Sequence, residues 1–321
     1  MAIELATEAT FTPKAGSFLI GVTSDLYADS WEIPLGGTAP GPPEAMLASA
    51  LVALARPPSG GAVRVTSTLP AGSGLSSSAA FSVAFLLALG GRDAGAVGAQ
   101  DALALARLCQ SAEDDAGQRV GLLDPLAILG ARAGHALAID FASLECRQVP
   151  VPEHAAFVVV DCGTSRALTS SAYGVRRAEC ERAENLIGRP LGHCELGDLS
   201  VLSDPVLRRR ARHVITECAR VREVERLLGR SNLKGVGAVM TEGHRSLSED
   251  FRASIPALDE LVDRLARMPG VYGARMTGGG FGGCAIALCE PESPALVLET
   301  FAPLRAWRVT PTAGAEVRSV R

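Results

Sequence analysis

The chain has 321 residues, 47% of them apolar, which is length enough for two lobes or one large α/β domain around a sizeable core. Its net charge is −4 with arginines and acidic residues interspersed, which gives no footing for nucleic acid or an anionic membrane surface. The longest apolar run, Ala79 to Leu89, is too short to span a bilayer, no signal-like segment opens the chain, and the scattered cysteines show neither C-x-x-C nor zinc spacing, so a cytosolic protein with apolar, buried cysteines is expected.

Residues 1 to about 35 read as strands, with turns at Pro13-Lys-Ala-Gly16 and Asp25. A Pro/Gly loop, Gly36 to Pro43, leads into a helix over Pro43–Ala55, followed by a strand over 63–69 and a helix over 78–89 that ends at Gly90-Gly91. Ala104, Leu105, Leu108 and Ala112 put one apolar face on a helix from Ala99 to Glu113. Asp124 then precedes the apolar run Pro125–Leu129, and His135–Phe141 and Ala156–Asp161 read as strands. Arginine-rich helices are predicted over Ser170–Leu186 and Asp204–Leu228, and a further helix over 256–267 ends at Pro269-Gly270. Strands Tyr272–Met276, Cys284–Cys289 and Trp307–Pro311 close the chain. There is no internal repeat. A division near residue 150 separates an N-terminal lobe, 1–150, from a mostly helical lobe, 151–321.

The chemistry concentrates in Leu69-Pro-Ala-Gly-Ser-Gly-Leu-Ser-Ser-Ser-Ala-Ala80, which joins a strand to an apolar helix. Gly72 and Gly74 let backbone approach an anion, and the helix behind them aims its free N–H groups and positive dipole end at the same point. Ser76, Ser77 and Ser78 add hydroxyls where a phosphate or its Mg²⁺ would sit. The plainer alternative is a Gly/Ser loop closed by a serine N-cap. A Walker loop is excluded, since no lysine follows and the chain has only Lys14 and Lys234. The dinucleotide fingerprint is excluded too, because no acidic residue closes a second strand at the required distance. A second glycine-rich stretch, Thr277-Gly-Gly-Gly-Phe-Gly-Gly283, lies between two strands and implies close backbone packing around Phe281.

These segments together resemble the GHMP kinases, and within them the galactokinase branch. Pro70-Ala-Gly-Ser-Gly-Leu-Ser-Ser-Ser-Ala79 matches P-x-x-x-G-L-x-S-S-A, and 277–283 matches the third motif of that superfamily. Gly121-Leu-Leu-Asp124, Gly134-His-Ala-Leu-Ala-Ile-Asp-Phe-Ala-Ser-Leu-Glu145, Thr169-Ser-Ser-Ala-Tyr-Gly-Val-Arg-Arg177, Gly243-His-Arg-Ser-Leu-Ser-Glu-Asp250 and Ser254-Ile-Pro-Ala-Leu-Asp259 resemble galactokinase motifs in order. The resemblance implies an α+β fold of two lobes, an S5-like N-terminal lobe and a mixed α/β C-terminal lobe, with the active site in the cleft. It implies ATP and Mg²⁺ as cofactors and a small sugar as substrate, phosphorylated at its anomeric hydroxyl.

The same resemblance gives the matched residues their roles. Pro70, Gly72, Ser73, Gly74, Leu75, Ser76, Ser77, Ser78 and Ala79 would hold the nucleotide, with backbone N–H groups of 72–79 on the β- and γ-phosphates. Ser78, or its neighbour Ser77, and Glu113 would hold Mg²⁺. Asp124 would be the catalytic carboxylate beside the attacking hydroxyl, and Gly121, Gly163 and Tyr173 would contact the sugar. Read without the family, Glu113 is a solvated helix end, Asp124 a cap before Pro125, Tyr173 a rim aromatic, and Gly121 and Gly163 turn residues.

Two departures bear on the substrate. The family's opening motif, P-G-R-x-N-L-I-G-E-H-T-D-Y, is absent, and Met1-Ala-Ile-Glu-Leu resembles the segment just after it. Either the start is truncated or the enzyme manages without that motif's arginine, for which Arg166 or Arg176 is the candidate substitute. Pro125 replaces the family's glutamine after the aspartate, which favours an altered pocket and admits a heptose or octose as well as a galactose-like sugar. The competing reading is an inactive relative that senses ATP or sugar. A mevalonate or homoserine kinase fits the segments 134–145 and 169–177 less well.

Overall fold

Strands β1 (Thr7–Pro13), β2 (Leu19–Ser24) and β3 (Asp29–Pro34) alternate buried and exposed residues, the pattern of a sheet with one face on a core. Helix α1 (Pro43–Ala55) starts with proline in its first turn, where a missing N–H costs nothing, and ends at Arg56 in the left-handed region. It returns the chain to β4 (Gly61–Ser67), which inserts between β1 and β2. The order is β1-β4-β2-β3, with β4 antiparallel to β1 and parallel to β2. Helix α2 (Ser77–Leu89) is apolar on nearly every side: its Phe81 and Phe85 are fully buried, as are Leu47, Leu51, Ile20 and Ile33 of this half. After the short β5 (Gly95–Ala96) come α3 (Ala99–Asp115) and α4 (Leu123–Gly130).

A computed structural model describes residues 1–36, 40–91, 95–117, 121–164 and 169–318. The chain forms two compact units. The first takes in Met1–Ala71, Ser76–Leu137 and the tail from Pro311; the second takes in Gly72–Leu75 and Ala138–Thr310. The single division expected near residue 150 compares with a crossing between Leu137 and Ala138 and a tail that returns to the first unit.

Strands β6 (His135–Asp140) and β7 (Glu145–Pro150) form a hairpin, and β8 (Ala156–Asp161) has all six residues buried, as a central strand requires. Helices α5 (Thr169–Ile187), α6 (Pro205–Leu228) and α7 (Leu233–Ser246) follow, α6 capped by Asp204, whose carboxylate accepts the N–H groups of Val206 and Leu207. A π-helical turn, Leu247–Phe251, leads to α8 (Pro256–Ala266), whose Leu258, Leu261, Val262 and Leu265 are buried at i, i+3, i+4 and i+7. Strands β9 (Val271–Met276) and β10 (Cys284–Cys289), helix α9 (Pro294–Thr300) and strand β11 (Ala306–Val309) complete an antiparallel sheet of order β11-β8-β10-β9. A last short strand, β12 (Glu316–Val317), pairs with β5 in the first unit.

Edge strand β9 would leave alternate N–H groups without partners. Helix α7 takes them: Ala274 N–H donates to Thr241 Oγ1 at 3.3 Å and Met276 N–H to His244 Nδ1 at 3.2 Å. Residues three apart on the helix thus serve residues two apart on the strand. The approach is close enough that a Cβ on Gly237 would lie 2.7 Å from Gly273 N and collide with the Tyr272 carbonyl. All eight cysteines are free thiols; Cys109, Cys194, Cys284 and Cys289 are buried as expected, whereas Cys146 is exposed. Among the described residues no helix is long and apolar enough to cross a membrane.

Candidate functional site

The loop ahead of α2 is left-handed at Gly72, Gly74 and Ser76, with φ of 69°, 84° and 59°, and at neither Ser73 nor Leu75 between them. Alternation of hand turns successive N–H groups toward one side and makes an anion-binding concavity. A side chain at Gly72 would meet nothing within 4 Å, so the glycine serves the backbone turn and not a tight fit. Ser76 occupies the N-cap position of α2 but makes no side-chain capping bond. The plain serine N-cap is therefore not what this sequence builds. Pro70 is half-buried, Ser73 and Ala79 are buried, and Gly74, Leu75, Ser76, Ser77 and Ser78 lie half-buried between them.

Behind the loop, α2 and α3 bring polar groups together in an apolar setting. Ser78 and Ser82, one helical turn apart, face Glu113 near the C-terminal end of α3. Glu113 is 2% exposed, accepts a hydrogen bond from Ser82 Oγ at 3.3 Å, and has no basic side chain paired with it among the described residues. The last turn of α3 has no basic residue, and Asp114 and Asp115 follow Glu113, so three carboxylates stand at the negative end of a helix dipole. Burial first, then the nearby charges of Asp124 and Asp114, push the Glu113 carboxyl up to about 7, against the opposing contributions of Ser82 and Ser78. Ser78 Oγ is buried beside this carboxylate and the Tyr27 phenol, yet forms no hydrogen bond of normal geometry. Burial and the charges of Glu44 and Glu113 push the Tyr27 phenol up to about 12.

A buried carboxylate without a basic partner among the described residues, opposite an orphaned hydroxyl, fits Mg²⁺, which favours one or two protein oxygens and completes its shell with phosphate and water. Among the described residues no three His, Cys, Asp or Glu side chains converge on one point, so the pair is part of a shell and not a full cage. Asp124 lies in the first turn of α4, half-buried and close enough to Glu113 for their charges to interact. The opening residue Met1 also lies near Asp124. Gly121, two residues before α4, is exposed with open space around its Cα. Sequence reading missed Tyr27 and Ser82. Ser82 carried a signal, a hydroxyl four residues after Ser78 inside an apolar helix; Tyr27, in the β2–β3 turn, carried none.

Gly163 and Tyr173 belong to the second unit. Gly163 is left-handed, with φ of 75°, and its N–H donates to Asp161 Oδ1 at 2.9 Å, while Asp161 Oδ2 pairs with Arg305 at 2.5 Å. Tyr173 stands on α5, 37% exposed, with its ring edge beside Gly279 of the glycine-rich segment. Arg176 is committed: it donates to Glu179 at 2.8 Å and leans on the Arg252 carbonyl at 3.5 Å. The other candidate for the missing arginine, Arg166, lies outside the described residues.

Two family models match the chain, GHMP kinases N terminal domain over residues 45–131 and GHMP kinases C terminal over 224–302. A galactokinase of Streptomyces coelicolor is 41% identical over 284 residues, covering 84% of this chain and 72% of the relative. The human galactokinase is 40% identical over 238 residues, covering 71% of this chain and 59% of the human protein. Among solved structures, Lactococcus lactis galactokinase complexed with galactose superimposes with a TM-score of 0.85 at 25% identity, covering 97% of this chain and 87% of that one.

Proposed function

The chain belongs to the GHMP kinase family and to its galactokinase branch, and from that premise we propose that it transfers the γ-phosphoryl group of ATP to the anomeric C1 hydroxyl of galactose. The observation that carries this reading is the buried Glu113, without a basic partner among the described residues, facing the orphaned Ser78 hydroxyl at the start of α2. Backbone N–H groups of 72–79 cradle the β- and γ-phosphates, and Ser78 and Glu113 hold Mg²⁺. When bound, Mg²⁺ neutralises charge that builds on the phosphate oxygens. Asp124 takes or orients the proton of the attacking hydroxyl, which is too weak an acid to ionise, and so a poor nucleophile, at neutral pH. Gly121, Gly163 and Tyr173 contact the sugar.

Relatives named galactokinase favour galactose over a heptose or octose. Pro125, the departure that suggested a larger sugar, is buried within α4. The test is ATP, Mg²⁺ and a panel of galactose, talose, glucose, a heptose and an octose, with the product phosphate located by phosphorus NMR. Galactose 1-phosphate is expected, and Asp124→Asn should lower kcat by about 10²–10⁴ without moving the melting temperature. Turnover of the larger sugars alone would overturn the substrate. Melting shifts with ATP or sugar but no ADP would make the chain a sensor, and an Asp124→Asn rate near wild type would remove that carboxylate from the chemistry.

A further inference from the structure

Two motifs, Gly243–Asp250 and Ser254–Asp259, take no part in the reaction proposed above, yet they converge on the glycine-rich segment 277–283. That segment is left-handed at Gly278, Gly280, Phe281, Gly282 and Gly283, so its shape must be imposed by its surroundings. At its base Thr277 N–H donates to the Cys284 carbonyl at 2.9 Å. At its crown Phe281 N–H donates to the Ala253 carbonyl at 2.7 Å, and a Cβ on Gly280 would collide with that same carbonyl. Ala253 is in turn tied back by its own N–H to Leu247 at 3.0 Å. One residue before the segment, Met276 N–H donates to His244 Nδ1.

His244 is 5% exposed, and its Nε2 lies 3.1 Å from Asp259 Oδ1, off the axis of a well-formed hydrogen bond. The other Asp259 oxygen accepts Ser248 Oγ at 2.9 Å. Because Met276 presents a donor, Nδ1 must be bare and the ring proton must sit on Nε2, where the Asp259 carboxylate favours it. The segment held this way touches both sugar-contact candidates of this unit: Gly279 lies beside the Tyr173 ring, and the Gly283 carbonyl accepts Cys162 N–H at 2.9 Å, next to Gly163.

We propose that His244, held in one tautomer by Asp259, is a positioning residue that sets the 277–283 segment and through it the sugar contacts at Tyr173 and Gly163. The inference deepens the kinase reading and rests on it for its kinetic consequence. The experiment compares His244→Leu, which removes the acceptor, with His244→Asn, whose Oδ1 can take the place of Nδ1. Amide exchange of the 276–283 peptide is followed by mass spectrometry, and KM for galactose and for ATP is measured on the same proteins. His244→Leu should exchange this peptide about five- to thirty-fold faster and raise the galactose KM by a similar factor, with exchange in α6 and the ATP KM unmoved. His244→Asn should recover most of both effects. A merely smaller folded fraction lowers kcat and leaves KM alone, so it does not mimic this result. Unchanged exchange and KM in the Leu variant, or no recovery in the Asn variant, overturns the assignment. If the wild type phosphorylates no sugar, the kinase reading fails by itself, and the exchange data still decide whether His244 holds the segment.

Discussion

Replacing Glu113 by glutamine removes one buried charge while keeping the shape and the Ser82 hydroxyl as a partner. The carboxyl sits at about 7 in the folded chain against an ordinary 4.5. Between those values the folded protein keeps a proton that the unfolded chain has lost, so folding takes up a proton and stability falls as pH rises. Above about 7 the folded state is ionised too, and the full penalty persists. At about 1.4 kcal/mol per pH unit the gap amounts to about 3 kcal/mol, which for a domain of this size is about 6–12 °C in melting temperature. Without ligands, Glu113→Gln should therefore melt close to wild type near pH 4.5 and above it by that margin at pH 8. Mg²⁺ with a nucleotide should reverse the order at pH 8, because only the wild type has a carboxylate for the cation to neutralise, and kcat of the variant should fall at least about a hundredfold. Scanning fluorimetry at the two pH values, with and without Mg²⁺ and nucleotide, reads all of this. A difference between variant and wild type that does not change with pH, or one that grows toward acid, would refute the argument that burial of this charge dominates the site.

Gly237→Ala drives a methyl into the Tyr272 carbonyl where α7 crosses β9, and backbone cannot yield there as a side-chain end can; a loss of about 3 kcal/mol or more in urea unfolding is expected, and a loss under about 1 kcal/mol would show that the helix can shift away. His213 is 5% exposed, with Nδ1 2.9 Å from Ser246 Oγ and its ring against Phe251. Burial, helped by Arg220 and Arg275 and opposed by Glu217 and Asp250, lowers it from 6.5 to about 4. The unfolded chain takes its proton below 6.5 and the folded chain only near 4, so stability falls by about 3 kcal/mol as pH drops through that window. Relative to wild type, the urea midpoint of His213→Asn should rise as pH falls from 6.5 to 4.5, and a difference between the two proteins that does not change with pH would sink the assignment. Glu113 and His213 act in opposite directions over nearly the same range, so the wild-type curve alone hides both.

Where local pattern and burial agree, the sequence was readable. The continuous apolar run of β8, the one-sided stripe of α8 and the strand–loop–helix around Gly72 and Gly74 all appear within a residue or two of their expected bounds. Helix α7 was not legible, because Gly235, Gly237 and Gly243 lower its helix propensity, and at least Gly237 is there for the backbone contact with β9 and not for the helix. Strand β7 shows five exposed residues of six and so no alternation to read. Helix α9 has only seven residues and hid between turns. At the candidate site the serines, Glu113 and Asp124 were visible as a motif. Their electrostatic character was not, since the height of the Glu113 carboxyl depends on burial between α2 and α3, a property of the packing.

The arginines tell a related story about charge. The helices over Ser170–Leu186 and Asp204–Leu228 are rich in arginine. In the fold many of these guanidinium groups turn inward. Arg210, 4% exposed, donates to Glu179 at 2.7 Å and to the Asp250 carbonyl. Arg176 shares Glu179, Arg212 pairs with Asp250, and Arg220 and Arg275 share Glu217 at 2.7 and 2.6 Å. Removing one member of so buried a set leaves its partner's charge unmet, which costs far more than the pair contributes. Arg176 and Arg210 therefore brace α5, and with it Tyr173, against α6 and the Leu247–Phe251 turn, while Arg220 and Arg275 tie α6 to β9 through Glu217. Within the proposed reaction the charge on the transferring phosphate then falls mainly to the N–H groups of 72–79 and to Mg²⁺ on Ser78 and Glu113. Among the described residues, the first unit thus holds in Glu113 a buried carboxylate without a basic partner, whereas Glu179, Glu217 and Asp161 of the second are each met by an arginine.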